Sequence, residues 1–334
     1  MRLLTAFLFI TLASSGQTLT TIYGTGTAGS GEGQTDQPFG LGIGPDKALY
    51  FCEVGNHRIS RLDLKTHKSS VVASSLSEPY EIAFSRAGDL FFCDRLKHTV
   101  SRIDRKTKAV VPVAGTGQEG FSGDGGPALQ AQFRQPHSIA FTPAGLLLIC
   151  DILNLRIRSL DLSSGLIDTW AGTGKRGTAA DGAPLKGTPL DGPRALAIDK
   201  SGNYYLALRE GNAIYRLDVK DGKMYRFAGT GEKGFTGDGG DARQAKLSGP
   251  KGVALAPDGS LYIADTENHA IRRVDKNGVI TTVAGTGERG DGPDGDPRQA
   301  KLARPHGVFV DSNGLVYIGD SENHRIRTLT QPKR

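Results

Sequence analysis

Apolar residues come in this chain in bursts of about five, separated by short polar turns. In residues 250–287, PKGVALAPDGSLYIADTENHAIRRVDKNGVITTVAGTG, the runs 252–256, Leu261–Asp265, Ala270–Val274 and 279–283 read as strands. The segments 257–260, 266–269 and 275–278 carry the Pro, Asp, Asn and Gly that tight turns require. The unit recurs with its proline at Pro38, Pro79, Pro136, Pro193, Pro250 and Pro305, at intervals of 41, 57, 57, 57 and 55 residues. Four short antiparallel strands repeated six times predict an all-β chain, a six-bladed β-propeller with four-stranded blades. A helical solenoid would space its apolar residues by three and four, and a parallel β-helix would not turn after every strand.

The sixth unit ends on Arg325–Leu329, its third strand. The stretch LTTIYGTG at 19–26 aligns with ITTVAGTG at 280–287, a fourth strand with no blade before it. It is expected to complete blade six and close the ring, which removes the open edges of a linear array. The domain reading is one propeller over 17–330, a signal segment over 1–16 and a tail over 331–334. The signal segment is Met1-Arg2, an apolar run over 3–13, then Ser14, Ser15 and Gly16. It predicts cleavage near Gly16 and a secreted or periplasmic protein, and the run is too short for a stable membrane anchor.

With 46 Gly, 37% hydrophobic residues and a mean hydropathy of -0.30, the 334 residues suit a turn-rich globular protein. The pI near 9.2 does not point to nucleic acid, because 41 basic and 35 acidic residues are interspersed without a basic block or aromatic platform.

A residue found in every unit serves the unit, whereas a place that keeps its position and changes its chemistry is where function can be written. The acid ending the second strand, Glu53, Asp94, Asp151, Asp265 and Asp320 with Leu208 in blade four, is therefore read as structural. It is expected to accept from turn amides or to pair with third-strand arginines such as Arg58, Arg156 or Arg325. His57, His98, His269 and His324 are read as turn histidines. Cys52, Cys93 and Cys150 share a slot filled elsewhere by Ala207, Ala264 and Gly319, so they are expected to be free, packed thiols. Asp291, Asp294 and Asp296 form the one calcium candidate, although their spacing fits no EF-hand.

The strings Asn56-His57-Arg58-Ile59, Asn154-Leu155-Arg156-Ile157, Asn268-His269-Ala270-Ile271 and Asn323-His324-Arg325-Ile326 resemble the core of the NHL repeat. GTGQEGFSGDGG from Gly115 and GTGEKGFTGDGG from Gly229 resemble the bacterial, teneurin-like members of that family. The Lys97-His98-Thr99 and Gly211-Asn212-Ala213 strings of blades two and four depart from the pattern.

In each unit the residue after the proline starts the first strand, the strand that lines a propeller's channel. These residues are Phe39, Tyr80, His137, Arg194, Lys251 and His306, with Glu81 beside Tyr80. Aromatics, cations and histidines around one mouth suit a small anionic or carbonyl-bearing ligand, or a peptide or protein partner, with no cofactor required. Binding at the mouth is the leading expectation. The alternative is a metal-assisted lyase or hydrolase: the chain is more distantly similar to peptidyl-hydroxyglycine amidating lyases, and that resemblance implies axial zinc on His137 and His306. Pro136-His137-Ser138 and Pro305-His306-Gly307 match their histidine context, but no third histidine occupies the ring. A structural or adhesive propeller is the third reading.

Overall fold

The computed structural model describes residues 16–330; most of the signal segment and the 331–334 tail lie outside them. Among the described residues there are six antiparallel sheets arranged as blades. Blade five shows the frame: Gly252–Leu255, Leu261–Asp265, Ala270–Val274 and Ile280–Ala284 pair in sequence order. Blades three and four gain a short fifth strand each, Gly126–Pro127 and Ala183–Pro184. Among the described residues no helix is long and apolar enough to cross a membrane.

Closure is as expected. Leu19–Tyr23 pairs antiparallel with Arg325–Leu329, Leu19 opposite Leu329 and Thr21 opposite Arg327. Asp294 reinforces the seam, accepting from the Thr21 N–H at 2.9 Å and from its hydroxyl at 2.8 Å. Asp291 meanwhile pairs with Arg325 and Arg327, each at 2.8 Å. The loop proposed from sequence as a calcium candidate thus spends two of its three carboxylates on the third strand and the closing strand of blade six.

The core lies between neighbouring blades, where apolar second- and third-strand residues such as Phe51, Phe92, Ile149, Leu206, Ile263 and Ile318 are fully enclosed. Cys52, Cys93 and Cys150 are free and buried, and burial pushes all three thiols up, as expected for a small apolar slot. The repeated acids are buried scaffold. Asp320 accepts from the Ala303 N–H at 2.8 Å and the Asn323 amide at 2.9 Å, and forms an ion pair with Arg327, whose Nε lies 3.0 Å away. Glu53 meets Arg58 as expected, at 2.8 Å.

In blades three and six the third-strand arginine beside the acid is not the one named from sequence, and in blade five it is Arg272. Arg156 turns to the Asn154 and Thr173 carbonyls and Arg325 to Asp291, while Arg158, Arg272 and Arg327 lie enclosed near Asp151, Asp265 and Asp320. A residue two further along a strand lies on the same face, and an arginine there is long enough to reach back diagonally.

The turn histidines act between blades. His57, His98, His269 and His324 all sit at positive φ, from 49 to 54°. Nδ1 of His98, His269 and His324 accepts from the backbone N–H of Gln135, Arg304 and Gln37, the residues just before the next proline. In blade four Asn212 does the same for Gly249 through its side-chain oxygen, at 3.0 Å. The turn of one blade therefore fixes where the next blade's first strand begins.

Candidate functional site

First strands pack side by side around the axis, each against the next, and Pro38–Ile43 closes against Gly307–Val310. The six residues after the prolines consequently face one cavity of about 280 Å³ at the mouth of the channel. Arg209, Arg304, Gln37 and Glu322 complete its wall.

The ring divides into two halves. Over blades six, one, two and three, His306 stacks on Phe39 with ring centres 3.9 Å apart, Phe39 meets Tyr80 edge-on at 4.8 Å, and Tyr80 meets His137 edge-on at 4.7 Å. Blades four and five supply Arg194 and Lys251. The Arg194 guanidinium lies 5.3 Å from the centre of the Tyr80 ring.

Partners of the charged groups are unequal. Arg304 binds Glu267 at 2.7 Å and Glu322 at 3.0 Å, Arg209 pairs with its neighbour Glu210, and Lys251 Nζ meets Glu267 at 2.7 Å. Against the upward pull of burial, Arg304 and Lys251 hold the Glu267 carboxyl down at about 2. Burial lowers Lys251 to about 8 despite Glu267. Arg194, only 3% exposed, makes no hydrogen bond or ion pair with the described residues. Burial lowers its pKa while leaving the group a cation.

Both histidines are neutral. His137 Nδ1 lies 2.7 Å from the Gln135 carbonyl and His306 Nδ1 2.8 Å from that of Arg304, so each Nδ1 carries the proton and each Nε2 is an acceptor. Burial, then Arg194 for His137 and Lys251 with Arg194 for His306, pushes both well below the ordinary range. His306 Nε2 accepts from Lys251 Nζ at 3.3 Å. His137 Nε2 has no hydrogen-bond partner among the described residues. Among those residues no group of three or more His, Cys, Asp or Glu side chains gathers as a metal site.

Glu81 does not belong to this mouth. It lines a separate axial cavity of about 350 Å³ whose other walls include Leu41, Ile82, Ile139, Leu196 and Val308. The first strand of blade two shifts register between Pro79 and Glu81, and there Tyr80 lines the mouth while Glu81 lines the other axial cavity. Its counterparts are Gly40, Ser138, Ala195, Gly252 and Gly307, and a Cβ on Gly40 would collide with the Glu81 carboxyl. Burial raises Glu81 to about 7, opposed by Arg194. Arg209 and Arg304 were the cations not anticipated; the rule of fixed place and changing chemistry, applied to the residue before the proline and the one after the acid, would have found them.

Residues 227–290 match the model of the teneurin NHL domain, and residues 302–329 that of the NHL repeat. Protein SUPPRESSOR OF QUENCHING 1, chloroplastic, of Arabidopsis thaliana is 30% identical over 235 residues, covering 66% of this chain and 22% of that protein. NHL repeat-containing protein 2 of Homo sapiens is 27% identical over 340 residues, covering 90% of this chain and 44% of that protein. The chain spans less than half the length of either relative. Among solved structures, an auxiliary nutrient binding protein from Bacteroides thetaiotaomicron superposes with a TM-score of 0.72 at 21% identity, covering 95% of this chain and 77% of that one. At that identity the likeness concerns the fold.

Proposed function

Because the chain is a six-bladed β-propeller built of NHL repeats, with a constant frame and a variable axial ring, we propose that it is a rigid receptor for a small anion. The anion sits in the mouth cavity, and the 1–16 pattern puts the receptor outside the cytoplasm in this reading. The observation that carries the proposal is Arg194, a buried guanidinium facing the cavity with no hydrogen bond or ion pair among the described residues, its charge offset only by the Tyr80 ring and by attraction to Glu81, which burial raises to about 7. Desolvating an ion costs several kcal/mol, about what a bound carboxylate or phosphate returns through charge-assisted hydrogen bonds. Four cations line the cavity and one carboxylate, Glu322, joins them.

Size sets the scale of the ligand. About 280 Å³ corresponds to roughly nine waters at about 30 Å³ each, room for a metabolite-sized acid. A peptide or protein partner could present such an acid from a terminus or side chain. The test is calorimetric titration of the purified chain with a panel of small carboxylates and phosphates, beside the Arg194→Ala/Lys251→Ala double variant. Binding by the parent and its loss in a folded variant support the reading; equal binding by both would remove the mouth from the account.

A further inference from the structure

We propose that the anion taken at the mouth is a hydroxycarboxylate, its carboxylate on Arg194 and Lys251 and a hydroxyl donating to His137 Nε2. This rests on the anion-receptor reading and goes further by assigning the ligand's second group.

Three observations carry it. The Gln135 carbonyl, 2.7 Å from His137 Nδ1, fixes the tautomer that leaves Nε2 as an acceptor. His137 is 3% exposed, lines the cavity, and has no hydrogen-bond partner for Nε2 among the described residues. Nε2 therefore opens onto the cavity, where a ligand's donor can take the place of water. The equivalent atom in His306 is already served by Lys251, so the two histidines are not interchangeable.

Position and charge narrow the donor. His137 and Arg194 belong to adjacent blades, and both pack on Tyr80, with ring centres 4.7 Å apart and the guanidinium 5.3 Å from the Tyr80 centre. One small molecule can therefore reach both. An ammonium donor is disfavoured beside Arg194, Lys251, Arg209 and Arg304, which favours a neutral donor, and a hydroxyl is the smallest that a compact acid carries. Lys251 Nζ uses two of its three protons, on Glu267 and His306, and keeps one for the carboxylate.

The experiment uses matched acids that differ by hydroxyls: lactate with propionate, malate with succinate, and gluconate with hexanoate. Each is titrated calorimetrically into the parent chain, His137→Phe, His137→Gln and Arg194→Met. For at least one pair the parent should prefer the hydroxy acid by about fivefold or more, the worth of one hydrogen bond. His137→Phe should bring that ratio to about one, and His137→Gln, whose amide oxygen still accepts, should restore part of it. Carboxylate binding that depends on Arg194 but ignores hydroxyls, or a preference that survives His137→Phe, overturns this inference and leaves the receptor reading standing. Binding of none of the six acids overturns this inference, and anion binding unchanged by Arg194→Met overturns both.

Discussion

Arg194→Met should make the protein more stable while removing its ligand. The guanidinium is 3% exposed and has no hydrogen bond or ion pair among the described residues. Its compensation is the Tyr80 ring at 5.3 Å, worth about 1–2 kcal/mol when desolvated, and attraction to Glu81. Desolvation of such an ion costs several kcal/mol, and methionine fills similar space without the charge. The net expectation is a gain of about 1–2 kcal/mol. With an unfolding entropy of about 2.1 cal/mol/K per residue, Tm should rise by about 1.5–3 °C. Differential scanning calorimetry at pH 7 without added anions reads this directly. Lys251→Met is the control: Lys251 has Glu267 as a partner, so its loss should bring no comparable gain. A fall in Tm of more than about 2 °C for Arg194→Met would make the residue part of the frame and refute the reasoning.

Three other outcomes follow from the same physics. Asp320→Ala strips Arg327 Nε and the Ala303 N–H of their partner inside a closed site, and should lower stability by about 3–4 kcal/mol in chemical denaturation. Asp294→Ala removes both bonds to Thr21 and should cost about 1–2 kcal/mol, with amide exchange accelerating first in Leu19–Tyr23. Anion affinity should fall as pH rises through about 8, where Lys251 loses its proton, and Lys251→Arg should abolish that step. Stability moves oppositely: the folded pKa lies below the ordinary 10.5, so between about 8 and 10.5 the unfolded chain holds more protons and the Lys251 contribution to stability rises with pH. Affinity flat from pH 7 to 9.5 would remove Lys251 from the site.

The frame was readable because each repeated residue does the same local job in most or all of the six blades. The proline, the acid and the positive-φ turn histidine are legible from spacing, and so is the missing fourth strand that Leu19–Tyr23 supplies. The axial ring was readable for the same reason, since one register position carries Phe39, Tyr80, His137, Arg194, Lys251 and His306 into one cavity. Spacing does not show the register shift between Pro79 and Glu81, where Tyr80 lines the mouth and Glu81 the other axial cavity. What spacing could not supply was pairing: that Arg158 rather than Arg156 is enclosed, that Glu267 serves both Lys251 and Arg304, and that Arg194 has no such neighbour. Those facts depend on side-chain reach across blades.

The central claim is that Arg194 is kept for a ligand, and comparing anion binding by the parent chain and by Arg194→Met in calorimetric titration tests it most directly. The account predicts at least one small carboxylate or phosphate bound with Kd below about 1 mM and weakened about tenfold or more by the substitution, with the variant folded. Binding of equal strength in the two proteins, or no binding by the parent across the panel, would contradict it.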